Sequence, residues 1–341
     1  MGWVGKVVGV CVVLLALLIG VLRIQNRGKL FGVTGEADLS LDMRGQEYIV
    51  TGSNTGLGKE IATMLAGMGG NVVMAVRSLE KGEKARQSMA EEAQRLARAS
   101  GHQAAGSLTV MQLDLSSFAS IRTFVENYRA TGRQLDVLVN NAAVISTNPA
   151  ATADGLPLIM GVNHYGPFLL SNLLVDSLAR SDDGRIVFVA SDAHSFVTVS
   201  ATLAEHGRIG GPELSASESF EAYSYSKLAN IYNARSLARR HPDVVTTALH
   251  PGFVATDIAR EADGILSVLY TIAANLVAMS SFEGAQNSVW LATDPAARQY
   301  SGAYFVHVTP VELSATVPDG LTHDKAEAAL WTASCKATES C

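Results

Sequence analysis

An apolar stretch, Glu47–Val50, runs into Thr51-Gly52-Ser53-Asn54-Thr55-Gly56-Leu57-Gly58, and an amphipathic pattern starts at Leu57. A glycine cluster alone would suit any turn. Placed between a first strand and a first helix, this one predicts a dinucleotide-binding βα unit. Gly52 permits the turn out of the strand, Gly56 lets backbone approach a pyrophosphate, and Gly58 lets the helix pack closely. Ser53, Asn54 and Leu57 belong to the same cradle, and the helix start offers free N–H groups to phosphate.

The rest of the chain repeats the alternation. Strands are expected at Glu47–Val50, Asn71–Val76, Leu108–Leu113, Val137–Val139, Arg185–Ala190, Val244–Leu249 and Ala303–Val308. Helices are expected at Leu57–Met68, Leu79–Ala99, Ser117–Ala130, Leu156–Ala179, Tyr223–Arg240 and Glu283–Thr293. The strands are apolar on both faces, as in a parallel sheet covered by helices. The fold class is therefore α/β: a Rossmann-type doubly wound parallel sheet in a single domain over residues 46–310. Residues 311–341 read as a C-terminal extension.

Ahead of the domain, Val7 to Leu22 is uninterruptedly apolar. Counted from Trp3, it approaches the ~20 residues that cross a bilayer. A cleaved signal peptide is the rival reading, but no small-x-small cleavage site is present and Arg23 follows at once. Residues 1–23 are thus expected to be a membrane anchor and 24–45 a linker. Arg23, Arg27 and Lys29 outnumber Lys6 on the other flank, which puts the domain on the cytosolic side of the endoplasmic reticulum or another internal membrane. A formal net charge of −6 with no basic run in the domain argues against nucleic acid. The three cysteines, Cys11, Cys335 and Cys341, form no zinc-type spacing. Cys335 and Cys341 could bridge each other, although a reducing compartment would keep them as thiols.

After the second strand come Val76, Arg77 and Ser78, where an NAD site would place an acid for the ribose 2′-hydroxyl. No acid is there. Arg77 can meet a 2′-phosphate, so NADP(H) is expected in preference to NAD(H). Tyr223 and Lys227 are four apart on one helical face, where an ammonium can stabilise a phenolate and make Tyr223 a proton donor or acceptor. Tyr225, only two residues from Lys227, would point elsewhere. Ser191 lies at the carboxyl end of its strand, where such sheets bind ligands, and can donate to a substrate oxygen. His164, His194 and His250 lack metal spacing and read as structural.

Taken in order, Thr51–Gly58, Asp114-Leu115, Asn140-Asn141-Ala142-Ala143, Asn163, Ser191, Tyr223-x-x-x-Lys227 and Pro251-Gly252 resemble the short-chain dehydrogenases/reductases over about 46–310. Ala75–Gly82, Val162–Leu170, Tyr223–Asn230, His250–Asp257 and Leu330–Cys335 look like the retinol dehydrogenase-like branch. The resemblance implies a tetrad. Tyr223 is its general acid/base, Lys227 holds the nicotinamide ribose, Ser191 orients the carbonyl, and Asn163 holds a relay water. It further implies that Asp114 meets the adenine, Asn140 lines the cofactor, and Thr256 binds the carboxamide. Ala143 stands where the family usually has Gly, and the gap between Ser191 and Tyr223 is long. Gly264–Met279 is almost wholly apolar and would suit a buried core helix; by resemblance it is a substrate lid, which with an anchor suits a lipophilic substrate such as a retinoid, sterol, polyprenoid or fatty aldehyde. A homodimer through the Tyr223–Arg240 helix is one implied possibility, and an anchored monomer is the other. A double-bond reductase of the chlorophyll pathway has the same fold but looks as if it needs an active-site cysteine, absent between Cys11 and Cys335. A non-catalytic scaffold would have no need of the full tetrad.

Overall fold

The computed structural model describes residues 37–146, 150–199, 216–252, 254, 279–306, 308–318 and 320–341. The expected anchor, Thr256 and most of the apolar 264–279 stretch lie outside them. Eight strands form one sheet: β1 (Glu47–Thr51), β2 (Asn71–Val76), β3 (Leu108–Gln112), β4 (Val137–Asn140), β5 (Arg185–Val189), β6 (Val245–His250), β7 (Tyr304–Val306) and β8 (Thr309–Val311). Their order is β3-β2-β1-β4-β5-β6-β7-β8. All pair in parallel except β8, an antiparallel edge on β7. The order reverses between β1 and β4, and that reversal opens a crevice beyond the strands' carboxyl ends.

Helices cover both faces. α1 (Gly56–Gly67), α2 (Leu79–Ala99) and α6 (Ser281–Thr293) bury one apolar cluster with Tyr48, Val50, Met74 and Val187. α3 (Phe118–Ala130), α4 (Leu158–Leu178) and α5 (Ala216–Arg240) bury the other with Ile49, Leu138, Ile186 and Phe188. Alternate residues of one strand therefore feed opposite cores, which is why the strands read as apolar throughout. By length and composition α4 could cross a membrane, yet 83% of its apolar window is buried inside the domain, so it is a core helix.

Two departures from expectation shape the site. The stretch Leu156–Ala179 is not one regular helix: Gly161–Tyr165 winds as a π turn, with the Gly166 N–H reaching back to the Gly161 carbonyl. Neighbours hold that turn at both ends. A Cβ on Gly161 would lie 2.2 Å from Thr152 Cγ2, and one on Gly166 would lie 2.7 Å from the Leu115 carbonyl. Nor does Tyr223 start its helix, because α5 begins at Ala216. The tyrosine therefore sits in regular helix, with its spacing to Lys227 fixed.

Residues past 310 are not a loose appendage. α7 (His323–Thr338) lays Trp331 against Phe168, with ring centroids 4.9 Å apart, and Arg240 stacks over the same indole. Glu327 is buried and takes Ser236, Arg235 and Arg239 of α5. Burial pushes its carboxyl up from the ordinary range, and these partners oppose the shift. Cys335 and Cys341 are bridged, with Cα atoms 5.2 Å apart.

Candidate active site

The two sides of the crevice are tied together at Thr51. Its Oγ1 accepts from the N–H groups of Asn141 and Ala142, both at 3.0 Å, and its carbonyl accepts from Asn141 Nδ2 at 2.9 Å. The glycine loop stands on this base. Gly52 and Gly56 have φ of 66° and 54°, where a side chain would be strained. Gly58 is needed for space: a Cβ there would lie 2.3 Å from Asn141 Nδ2 and 2.6 Å from the Gly52 carbonyl. The start of α1 thus closes on Gly52 of its own loop and on Asn141 in the loop after β4.

Does this cradle suit a dinucleotide? α2, α3, α6 and α7 each have an N-terminus closed by a serine or threonine side chain. α1 has none: Thr55 makes no side-chain cap bond, and its first turn carries no acid. Its leading N–H groups remain available to an anion. Arg77 follows β2, exposed, with its carbonyl held by Gln112. Asp114 stands at the end of the adjacent strand, its Oδ1 taking the N–H and hydroxyl of Ser116. The arrangement fits a phosphate-bearing dinucleotide laid across the carboxyl ends of β1, β2 and β3.

Asn140, which the resemblance sets along the cofactor, closes β4 on the side of α4. Only 3% exposed, it turns inward and donates from Nδ2 to Ser171 of α4 at 3.0 Å. Its amide holds a helix, and the neighbouring Asn141, which sequence reasoning left without a role, organises the loop. The signal for Asn141 was present in the paired asparagines, but alternation along a strand cannot tell which one faces inward once the strand ends.

On the other side, α5 and the turn after β5 carry the proton-handling groups. Lys227 is 2% exposed, and its Nζ donates to the Val189 carbonyl at 2.8 Å. The same Nζ lies 5.5 Å from the centre of the Tyr223 ring, one helical turn earlier. Ser191 leaves β5 two residues after Val189. Its Oγ accepts from the Ala193 N–H at 3.2 Å, so it caps a short 3-10 turn and still has its own proton to donate. His250 at the end of β6 accepts the Asp192 N–H, and His194 bonds the Ser191 carbonyl and Ser314, so both brace the serine's loop. Tyr225 is buried in the apolar cluster between α5 and α7, and burial pushes its phenol up. Asn163 rises from the π turn and joins three elements: Oδ1 accepts the Val144 N–H at 2.7 Å, while Nδ2 donates to the Val144 carbonyl at 2.9 Å and to Ser226 Oγ at 3.1 Å. The side chain is thereby fully engaged.

Burial lowers the Lys227 ammonium from its ordinary 10.5 to about 7. Between those pH values the unfolded chain holds a proton that the cofactor-free folded protein has released. Stability then rises with pH through that window as the cost of burying the charge disappears. The urea midpoint of the cofactor-free protein should climb from pH 7 to 9.5, and a Lys227→Met variant should flatten that climb. A climb of the same steepness in the variant would mean that Lys227 is not the titrating group.

The model of the family described as short chain dehydrogenase matches residues 46–202. Retinol dehydrogenase 14 of Mus musculus is 36% identical over 272 residues, covering 77% of this chain and 78% of its own. Retinol dehydrogenase 12 of Homo sapiens is 33% identical, covering 90% of both chains. Among solved structures, an uncharacterised protein from Mycobacterium paratuberculosis superposes with a TM-score of 0.64 at 28% identity, over 90% of this chain and 98% of its own. A blue fluorescent protein from a metagenomic library, in complex with NADPH, gives 0.56 at 25% identity over 78% of this chain and 97% of its own. At these identities and coverages the chain belongs to the short-chain dehydrogenase/reductase family of oxidoreductases, among its retinol dehydrogenase-like members.

Proposed function

We propose that the protein is a membrane-anchored, NADP(H)-dependent carbonyl reductase/alcohol dehydrogenase acting on a lipophilic substrate. One observation carries the reading: Lys227, stripped of water, is fixed on the Val189 carbonyl beneath Tyr223, where Ser191 emerges. When bound, the nicotinamide supplies or accepts the hydride. In the reducing direction the Tyr223 hydroxyl gives its proton to the carbonyl oxygen, and in the oxidising direction its phenolate takes the alcohol proton. Ser191 donates to the same oxygen and holds it in line. In its protonated form Lys227 stabilises phenolate and offers its remaining N–H groups to ribose hydroxyls. Asn163 positions Ser226 and the Val144 loop, and by resemblance holds the water that restores the proton. The glycine loop and the start of α1 would hold the phosphates, Asp114 the adenine and Thr256 the carboxamide.

Arg77 and the absence of an acid after β2 support NADP(H). An Arg77→Asp variant should raise the KM for NADPH by on the order of tenfold or more and lower that for NADH, from the loss of one charge-assisted phosphate contact. Steady-state kinetics with both nucleotides checks this, and an unchanged ratio would remove the basis for the preference. The apolar run at residues 7–22 supports anchoring, and its flanking charges favour a domain on the cytosolic face of an internal membrane, where the Cys335–Cys341 bridge would be reduced to thiols. An anchored monomer is the simpler assembly, since the chain's own α7 already packs on α5 through Glu327.

A further inference from the structure

Two aromatic rings stand in water beside this site without an assigned role. Phe196 is 74% exposed and Phe220 is 43% exposed, and they touch across the gap between their elements with ring centroids 5.8 Å apart. Their places in the chain are informative. Phe196 ends the 3-10 turn capped by Ser191, five residues after that hydroxyl. Phe220 is one turn before Tyr223 on α5, and Phe220, Tyr223 and Lys227 at i, i+3 and i+7 share one helical face. Exposure along that face rises from buried Lys227 through half-buried Tyr223 to exposed Phe220. The face therefore climbs from the floor of the site to its mouth, and the mouth is aromatic on both sides: one ring from the serine's element, one from the tyrosine's. A surface pair made for solubility would be polar here, and a core pair would be covered.

We propose that Phe196 and Phe220 form the rim of the substrate cleft and grip the hydrocarbon part of the carbonyl or alcohol, roughly 5 Å outside the reacting carbon, which is about one helical turn. They thereby set a preference for substrates with an apolar body long enough to reach them. The occupant is the substrate's own hydrocarbon chain or ring system, held by burial of apolar surface against two flat rings. This rests on reading Tyr223 as the acid/base.

The test uses the full chain in detergent with NADPH, comparing decanal with propanal. A Phe196→Ser/Phe220→Ser double variant should lose on the order of tenfold to a hundredfold in kcat/KM for decanal, mostly through KM, and keep its propanal value. Phe196→Leu/Phe220→Leu should recover most of the decanal loss, because it restores apolar area at positions where either side chain folds. Equal losses for both aldehydes, or no loss for decanal, would overturn the rim. So would a decanal loss seen only when the aldehyde is presented in phosphatidylcholine bilayers, since the rings would then be touching lipid. If the wild type reduces neither aldehyde, the proposed reaction fails but the rim is still read by calorimetry: 1-decanol should bind the NADP-loaded wild type at least tenfold tighter than the double serine variant, with 1-butanol alike in both. Equal decanol affinities would overturn it.

Discussion

Replacing Tyr223 by Phe should lower kcat for aldehyde reduction by on the order of 10²–10⁴, the usual worth of a positioned general acid. In barrier terms that is about 3–5 kcal/mol. The substitution deletes one oxygen and leaves the ring beside Lys227, so NADPH affinity and melting temperature should stay near wild type. Stopped-flow NADPH oxidation with decanal, alongside a calorimetric Kd, separates rate from binding. Tyr225→Phe is the matched control. That phenol is buried between α5 and α7, far up from its ordinary titration range, and should affect stability more than rate. If Tyr223→Phe turns over like wild type, the proton comes from elsewhere and the proposed chemistry is wrong.

A single methyl group at Gly58 should be almost as damaging, by a different route. The added carbon would fall 2.3 Å from Asn141 Nδ2 and 2.6 Å from the Gly52 carbonyl, and the second of these is backbone that cannot swing aside. For Gly58→Ala to fold, Gly52 must move, and Gly52 with its φ of 66° is part of the cradle. Overpacking of this kind costs about 1–3 kcal/mol in stability. The distorted loop should also bind NADPH at least on the order of tenfold more weakly, since aligned N–H donors lose most when displaced together. Calorimetric titration checks the second effect and urea unfolding the first. Wild-type affinity in the variant would mean that the loop does not hold the phosphates.

Much of this was readable from residue order alone, and the parts that were not share a physical cause. β2 at Asn71–Val76 and α2 at Leu79–Ala99 fall where their patterns put them, because each is bounded by a sharp change of period. The pairing of Tyr223 with Lys227 needed only helical spacing. What escaped was structure decided by contact. The helix α7 has a threonine cap at Thr322 and apolar Ala326, Leu330 and Trp331, yet its face becomes meaningful only when Phe168 and α5 are there to receive it. The stretch of α5 ahead of Tyr223, Ala216–Ala222, is largely polar, so no apolar period announces a helix there. The inward turn of Asn140 and the work of Asn141 depend on which amide finds Ser171 and which finds Thr51. A linear pattern carries no information about such partners.

The π turn at Gly161–Tyr165 has one more consequence. A π turn holds one residue more than the helix needs, and Asn163 meets Val144 and Ser226 because of that surplus. Delete His164 and the segment can wind as ordinary α-helix, with the apolar face of 166–178 still on the core. The asparagine position, however, would be turned by about 100°, the angle of one helical step at 3.6 residues per turn. This part of the site is specified by arithmetic as well as by chemistry: the number of residues between Pro157 and Pro167 matters as much as their identities. Here the chain can absorb a change of letter more easily than a change of length.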